Sequence, residues 1–483
     1  MADLARSVLE RLGGTYTPDM ATVASPATTA AGVLAEFCAA LTWDRLAPEV
    51  QTRTRELLLD LLGVALAGAR QPSSAPTLQV AMQLGGAGSA SLFGGGGATG
   101  AAWAALANGT AAHAVELDDV TTESSLHPGV AVIPPAFALA EELGATPRDL
   151  LEAIVAGYEV TMRVGNALNP ASAYARGFHP TGVAGVFGAT MAAGRLLGLS
   201  RAQLVAALGI AGTLASGSLE YLADGAWTKR LNPGWAGHAG ITAAHLARAG
   251  FSGPATVFEG RLGVLHAYSD APELELLLDR LGAPLQVMRV SIKPYACCRY
   301  NHGLIDCVLQ LAREHHVSPD GVERIRLGVL SGGALLVAEP IEQKRSPESM
   351  VDAQFSAPYA AAVALVLGSG GLNAFASEHL RNPTIRSLMA RTDCFRDSSL
   401  DADYPRRWPA AAEISLRDGR VLSARIEFAT GEPENPVPRA ALVGKFVSLA
   451  SETMGDAHGL AERILAIDGE PDVRGLGRAL RSG

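Results

Sequence analysis

Between Pro48 and Gly68 apolar side chains recur at helical spacing, with Val50, Leu57, Leu58, Leu61, Leu62, Ala65 and Leu66 on one face. Pro48 sits where a helix's first turn has no use for a backbone N–H, so it marks the start. Thr181 to Leu197 is apolar nearly all round, with Arg195 its only charge, which predicts a helix buried on every side. Ser200 with Gln203 makes a capping box that opens the next helix, Arg201 to about Leu214. Helical patterns dominate from Gly100 to about Gly250, and no repeat of fixed period is visible. The pattern changes near residue 285. Leu285, Val287, Val290 and Ile292 predict a strand with an irregular step at Met288. Ile325, Leu327 and Val329 alternate cleanly. Ile414 and Leu416, then Asp418-Gly419, then Val421, Leu422 and Ile426 predict a hairpin. After Pro433, Pro436 and Pro438 a helix returns at Arg439 to Met454.

These elements predict a mainly α protein, in which a large all-α helical domain carries an inserted, smaller α+β lid domain. The boundaries expected are a flexible N-terminal arm at 1–30, a helical domain made of 31–288 and 430–483, and a lid at 289–429. A site at the seam between such units is the default expectation.

Composition refines this picture. Hydrophobic residues make up 48% of the 483, yet aromatics only 5%, and there are 53 glycines, so the core must rest on small residues and close helix contacts. The net charge of −9 comes without a cluster of Lys or Arg, which argues against a nucleic-acid partner. Five cysteines without a CxxC pair argue against a disulfide framework or a zinc site. Phe355 to Ala376 is free of charge, but Pro358, a Gly-Ser-Gly-Gly break and Asn373 predict a buried helix and a turn rather than a membrane span. The start of the chain lacks a charged stretch followed by an apolar block, so the expected location is the cytoplasm.

Four segments carry candidate chemistry. His113-Ala-Val-Glu116-Leu-Asp-Asp119 and the following stretch to His127-Pro-Gly crowd carboxylates among histidines, which can tune one another for acid–base work. Helix capping by Asp118 or Asp119 is the competing reading, and the spacing matches no zinc helix pair. Gly177-Phe-His179-Pro-Thr181-Gly182 precedes the most apolar helix and aims a turn at a helix N-terminus, a place suited to anions. Asp224 to His238 reads as a loop holding Lys229, Arg230 and two tryptophans, and suits an anion better than bare solvent. Ile292-Lys293-Pro-Tyr to Arg299, His302 and Asp306 brings three basic groups to a strand-to-helix junction, while Cys297 and Cys298 are poorly spaced for an iron–sulfur cluster. Only four lysines occur, and Lys229 and Lys293 both fall in these segments.

Together with the helix ending Leu-Leu-Gly-Val-Ala-Leu-Ala-Gly, Asn108-Gly109, Gly157-Tyr-Glu-Val and Asp352-Ala-Gln-Phe-Ser-Ala-Pro-Tyr359, these segments resemble the MmgE/PrpD family over about residues 32 to 450. The resemblance implies a helical domain with an α+β lid, a homodimer, and no metal or organic cofactor. It implies a lyase acting on a small polycarboxylate: 2-methylcitrate dehydration first, with cis-aconitate decarboxylation or epimerisation of a dicarboxylate as alternatives. The decarboxylase branch's acidic position falls on Glu116, its histidines on His127 and His179, and its lysines on Lys229 and Lys293. Its threonine position holds Val120, and Glu stands for the usual Asp.

On this reading Lys229, Lys293 and Arg299 hold substrate carboxylates, with Arg230, Thr181 and His113 as further contacts. His127 is the first acid–base candidate, Asp119 or Glu116 orients it, and His179 or His302 moves a second proton. Two rivals stay open. A metal-dependent hydratase would lose activity to a chelator, and a non-enzymatic carboxylate-binding protein would bind without turnover.

Overall fold

The structure, a computed structural model, describes residues 28–481. The expected arm at 1–30 therefore lies almost wholly outside the described residues. Helices of eight residues or more are numbered in chain order. The first group is α1 (Ala30–Ala40), α2 (Pro48–Ala69), α3 (Ser74–Leu84), α4 (Ala101–Ala112), α5 (Pro128–Leu143), α6 (Pro147–Ala167), α7 (Pro180–Leu196), α8 (Arg201–Leu214) and α9 (Thr228–Arg248). The second is α10 (His302–His315), α11 (Ala357–Leu367), α12 (Pro383–Ala390), α13 (Arg439–Ala450), α14 (Ala457–Leu465) and α15 (Arg474–Arg481). A two-stranded ribbon joins β1 (Ala90–Leu92) and β2 (Gly97–Thr99).

The capping box forms as expected: Ser200 accepts from the Gln203 N–H, and α8 runs to Leu214. α7 is the predicted central helix. It is buried from Pro180 to Gly194 and packs against α5, α6, α8 and α9. Small side chains permit this. A Cβ at Gly188 would run into the Thr161 hydroxyl and the Gly157 carbonyl of α6. With so few rings, close backbone approach takes the place of bulk in filling the core.

Buried apolar side chains fall into two main clusters. One unites α1, α2 and α4–α9 with Val287, Val290, Ile292 and the C-terminal α13–α15. The other runs from Tyr295 to Leu422, and Val64, Ala67, Val115, Leu117 and Leu449 join it from the helical side. In the second cluster α10 packs against β5 (Ala410–Leu416), β6 (Val421–Ile426) and α11. The sheet runs β4-β3-β5-β6, with β3 (Val322–Val329) parallel to β4 (Thr392–Arg396) and antiparallel to β5. Ile325 stands opposite Ile414, and Ile414 opposite Leu422. The predicted hairpin turns at Gly419, whose φ of +90° suits a residue without Cβ. α11 ends at Gly368, and among the described residues no helix is long and apolar enough to cross a membrane.

Three expectations are corrected. Leu285–Ile292 is not a strand: Gln286–Arg289 form a 3-10 turn, and only Ser291 makes an isolated bridge, to Val120. Its alternating apolar residues face the helical core, and the Gln286 N–H donates to Glu159 of α6 at 2.8 Å, so no neighbouring strand is needed. The segment around Lys229 and Arg230 is not a loop, because α9 begins at Thr228 and carries Pro233 inside. The last predicted helix stops at Ala450, not Met454.

Gly188→Ala is expected to lower stability by about 1–3 kcal/mol, the usual range for overpacking a tight core. Urea unfolding checks this, and a change within about 0.5 kcal/mol would show that α6 and α7 are free to move apart.

Candidate active site

A cavity of about 1830 Å³ lies where the two apolar clusters meet, lined by Glu116, Val120, His127, His179, Lys229, Arg230, Lys293 and Arg299 among others. Each side chain arrives from an element end. His127 and His179 are the N-cap residues of α5 and α7, each followed by a proline at the first helical position. Lys229 lies in the first turn of α9. Lys293 follows the Ser291–Val120 bridge, and Glu116 follows the end of α4 with a φ of +56°. A left-handed glutamate costs about 1–3 kcal/mol and persists only where its surroundings fix it.

Those surroundings are two ammonium groups. Lys229 Nζ donates to Glu116 Oε1, and Lys293 Nζ stands 3.6 Å from Oε2 and 3.3 Å from the Glu116 carbonyl. Lys293 is only 2% exposed. Burial alone would raise the Glu116 carboxyl, but Lys229 and then Lys293 hold it well below the usual carboxylate range. Two cations therefore share one anion at the cavity floor. Lys229 also lies 5.4 Å from the centre of the Phe355 ring.

Beside them is a histidine cluster. Asp118, fully buried, takes His113 Nδ1 and His127 Nδ1 on the same oxygen, each at 2.8 Å. The His113 ring packs edge-on to His127 and stacks on His179. Burial would raise the Asp118 carboxyl, yet His113 and His127 keep it well below its usual value. Burial pushes His127 down to about 4 despite Asp118. With Nδ1 donating to Asp118 and to the Asp119 carbonyl at 2.9 Å, His127 keeps its lone pair on Nε2. His179 has the opposite arrangement. The Asn232 amide nitrogen lies 3.1 Å from its Nδ1, so Nδ1 accepts and Nε2 carries the proton. Burial holds His179 well below its ordinary value as well. Two neutral imidazoles of opposed tautomer thus border one cavity.

The sequence matches the MmgE/PrpD N-terminal domain over residues 32–277 and the MmgE/PrpD C-terminal domain over residues 295–468. The chain belongs to the MmgE/PrpD family. A cis-aconitate decarboxylase from Aspergillus terreus is 28% identical over 92% of this chain and 95% of its own. The mouse cis-aconitate decarboxylase is 29% identical over 73% of this chain and 72% of its own. A cis-aconitate decarboxylase-like protein of Aspergillus oryzae is 29% identical over 80% of each.

Of the expected site residues of this MmgE/PrpD protein, Glu116, His127, His179, Lys229 and Lys293 meet at the cavity. Asp119, Thr181, His113 and His302 do not line it, while Arg230 and Arg299 line it with partners of their own. The Asp119 carboxylate does not orient His127; it accepts from the Gly129 N–H at 2.9 Å and the Tyr158 hydroxyl at 2.6 Å. Asp119 thus closes the N-terminus of α5, as the capping reading anticipated. Glu116 is held by the lysines rather than by His127, and the orienting carboxylate is Asp118. Thr181 acts one step back, its hydroxyl accepting the His127 N–H at 3.1 Å. His113 lies behind His127 and His179. His302 packs in the second apolar cluster's unit, with Nε2 3.3 Å from the Cys297 carbonyl. Arg299 lines the cavity but is ion-paired to buried Glu432 and lies 5.7 Å from the Trp408 ring centre, and Arg230 donates to Ser73 Oγ at 2.7 Å. Sequence reading missed Asn232, although its place three residues after Lys229 on one helix was a usable signal.

His113, Asp118 and His127 are the one trio among the described residues whose donor atoms lie close enough to share an ion. Their nitrogen–oxygen separations of 2.8 Å are hydrogen-bond lengths. Two ligands of one tetrahedral zinc stand about 3.3 Å apart, from bonds of about 2.0 Å. The trio fits a proton-sharing carboxylate better than a metal centre.

Burial raises the Asp119 carboxyl to about 7. A carboxyl raised on folding binds its proton more tightly in the native state, so stability falls as pH climbs from about 4 to 7. Asp119→Asn, which keeps an acceptor for Gly129, is expected to gain stability relative to the parent between pH 5 and pH 8. Denaturant unfolding at both values tests this, and a constant difference would mean Asp119 titrates normally.

Proposed function

We propose that this protein is a lyase acting on a small di- or tricarboxylate without a metal or organic cofactor. The observation that supports it most is the convergence of Lys229 and Lys293 on one carboxylate beside two neutral histidines. Two cations against one fixed anion leave room for a substrate carboxylate. They also sit where a carbanion next to a carboxylate would place its charge, which is how such a barrier is lowered most.

The decarboxylase relatives favour decarboxylation of a cis-aconitate-like substrate over the dehydration that the sequence put first. In that reaction the lysines stabilise the electron pair released when the carbon–carbon bond breaks and carbon dioxide leaves. The Nε2–H of His179 then protonates the carbanion. Dehydration stands second on one specific observation, the opposed tautomers. His127 Nε2 would remove the proton α to a carboxylate and His179 would protonate the departing hydroxyl. Epimerisation needs the same two groups and no leaving group. In the same proposal 289–429 forms the lid domain beside the site, and the enzyme is a cytoplasmic homodimer.

A proton NMR time course in deuterated water, on protein dialysed against EDTA, is expected to show turnover of cis-aconitate or 2-methylcitrate. Product identity separates loss of carbon dioxide from loss of water. Silence across the panel that added metal relieves would instead establish a metal hydratase. Lys293→Met is expected to lower kcat/KM by about 100-fold or more, the scale for removing a transition-state donor. In dehydration or epimerisation, where His127 acts as a base and must be unprotonated, kcat/KM should hold from pH 8 down to about 5 and fall near its depressed value of about 4. A fall centred near pH 6.5 would remove His127 from the base role.

A further inference from the structure

The cavity exceeds what a tricarboxylate needs. Its volume of about 1830 Å³ compares with about 300–1,000 Å³ for pockets that enclose whole drug-sized ligands. The charged floor occupies one region. The rest of the wall includes Leu222 and Trp227, just before α9, and Leu335, Leu336, Val351 and Phe355 from the strand-bearing unit. Several of these are open to solvent, Leu335 at 71%, Leu222 at 63% and Trp227 at 51%. Of the 18 large apolar side chains exposed among the described residues, seven line this one cavity. Such a concentration marks a surface that something apolar covers. Two of the cations nearby are already committed, Arg289 to Glu123 and Arg299 to Glu432.

We infer that the substrate is a di- or tricarboxylate bearing an apolar tail of several carbons. Its carboxylates sit on Lys229 and Lys293, and its tail passes Phe355 and runs along Val351, Leu335, Leu336, Leu222 and Trp227. The anionic end rests on the lyase reading; the tail rests on the cavity wall. A bare tricarboxylate would leave that wall wet, so tail burial supplies affinity that the small acids lack.

Calorimetric binding of a 2-alkylsuccinate series, from methyl to octyl, to the full chain tests this directly. Affinity is expected to rise about threefold or more for each added methylene until the tail reaches solvent. Leu222→Asp with Leu335→Asp, at positions too exposed to carry the fold, is expected to flatten that rise. Affinity independent of tail length overturns the inference, as does a rise that the double variant leaves intact. Tail-dependent binding with no turnover of any carboxylate counts against the lyase reading and supports the tail. Failure of every member to bind overturns both.

Discussion

Two lysine ammonium groups held against one buried carboxylate set the terms for the rest of this protein. Lys293 and Glu116 are nearly out of water, and removing one partner of a buried pair costs about 3–5 kcal/mol because the other is left uncompensated. The cluster therefore ties three distant stretches together: the turn after α4, the first turn of α9 and the segment that follows the Ser291–Val120 bridge. It also fixes Glu116 in a left-handed backbone that its surroundings must enforce. The same contacts that constrain the fold leave the two lysines sharing a single carboxylate, Glu116.

The histidines depend on that frame. The turn carrying Glu116 also delivers Asp118 between His113 and His127, and α9, which carries Lys229, delivers Asn232 to His179. Opposed tautomers follow from these partners rather than from the imidazoles themselves. Close packing of α6, α7 and α9 through glycine and alanine holds the helix ends in place, so the small-residue core and the chemistry are one design.

Much of the helical architecture was legible because local signals agreed with the final packing. Ser200 with Gln203, Pro48 with its apolar stripe, and Asp418-Gly419 between alternating strands each specify their element without help from afar. Leu285–Ile292 misled because alternation reports burial on one side and not what lies on that side; here helices do. Glu116, His127, Lys229 and Lys293 were also legible as candidates, through the scarcity of lysine and the crowding of histidine with carboxylate, and His179 through the turn that precedes the most apolar helix. The roles of the neighbouring carboxylates were not. Asp118 and Asp119 are adjacent and chemically identical, and only the turn shaped by Glu116 decides which one meets the imidazoles. Arg299 looked available because its partner, Glu432, is remote in sequence. His302 looked catalytic because its segment contained Lys293, yet the chain turns it into the second apolar cluster.

The central claim is that Glu116 only partly neutralises Lys229 and Lys293, and that a substrate carboxylate completes the charge balance. Calorimetric titration of citrate into the parent protein, Glu116→Gln and Lys293→Met tests it most directly. The account predicts tighter binding to Glu116→Gln, which frees both lysines, and weaker binding to Lys293→Met. Weaker binding to Glu116→Gln would contradict it, because Glu116 would then be a partner of the ligand and not its competitor.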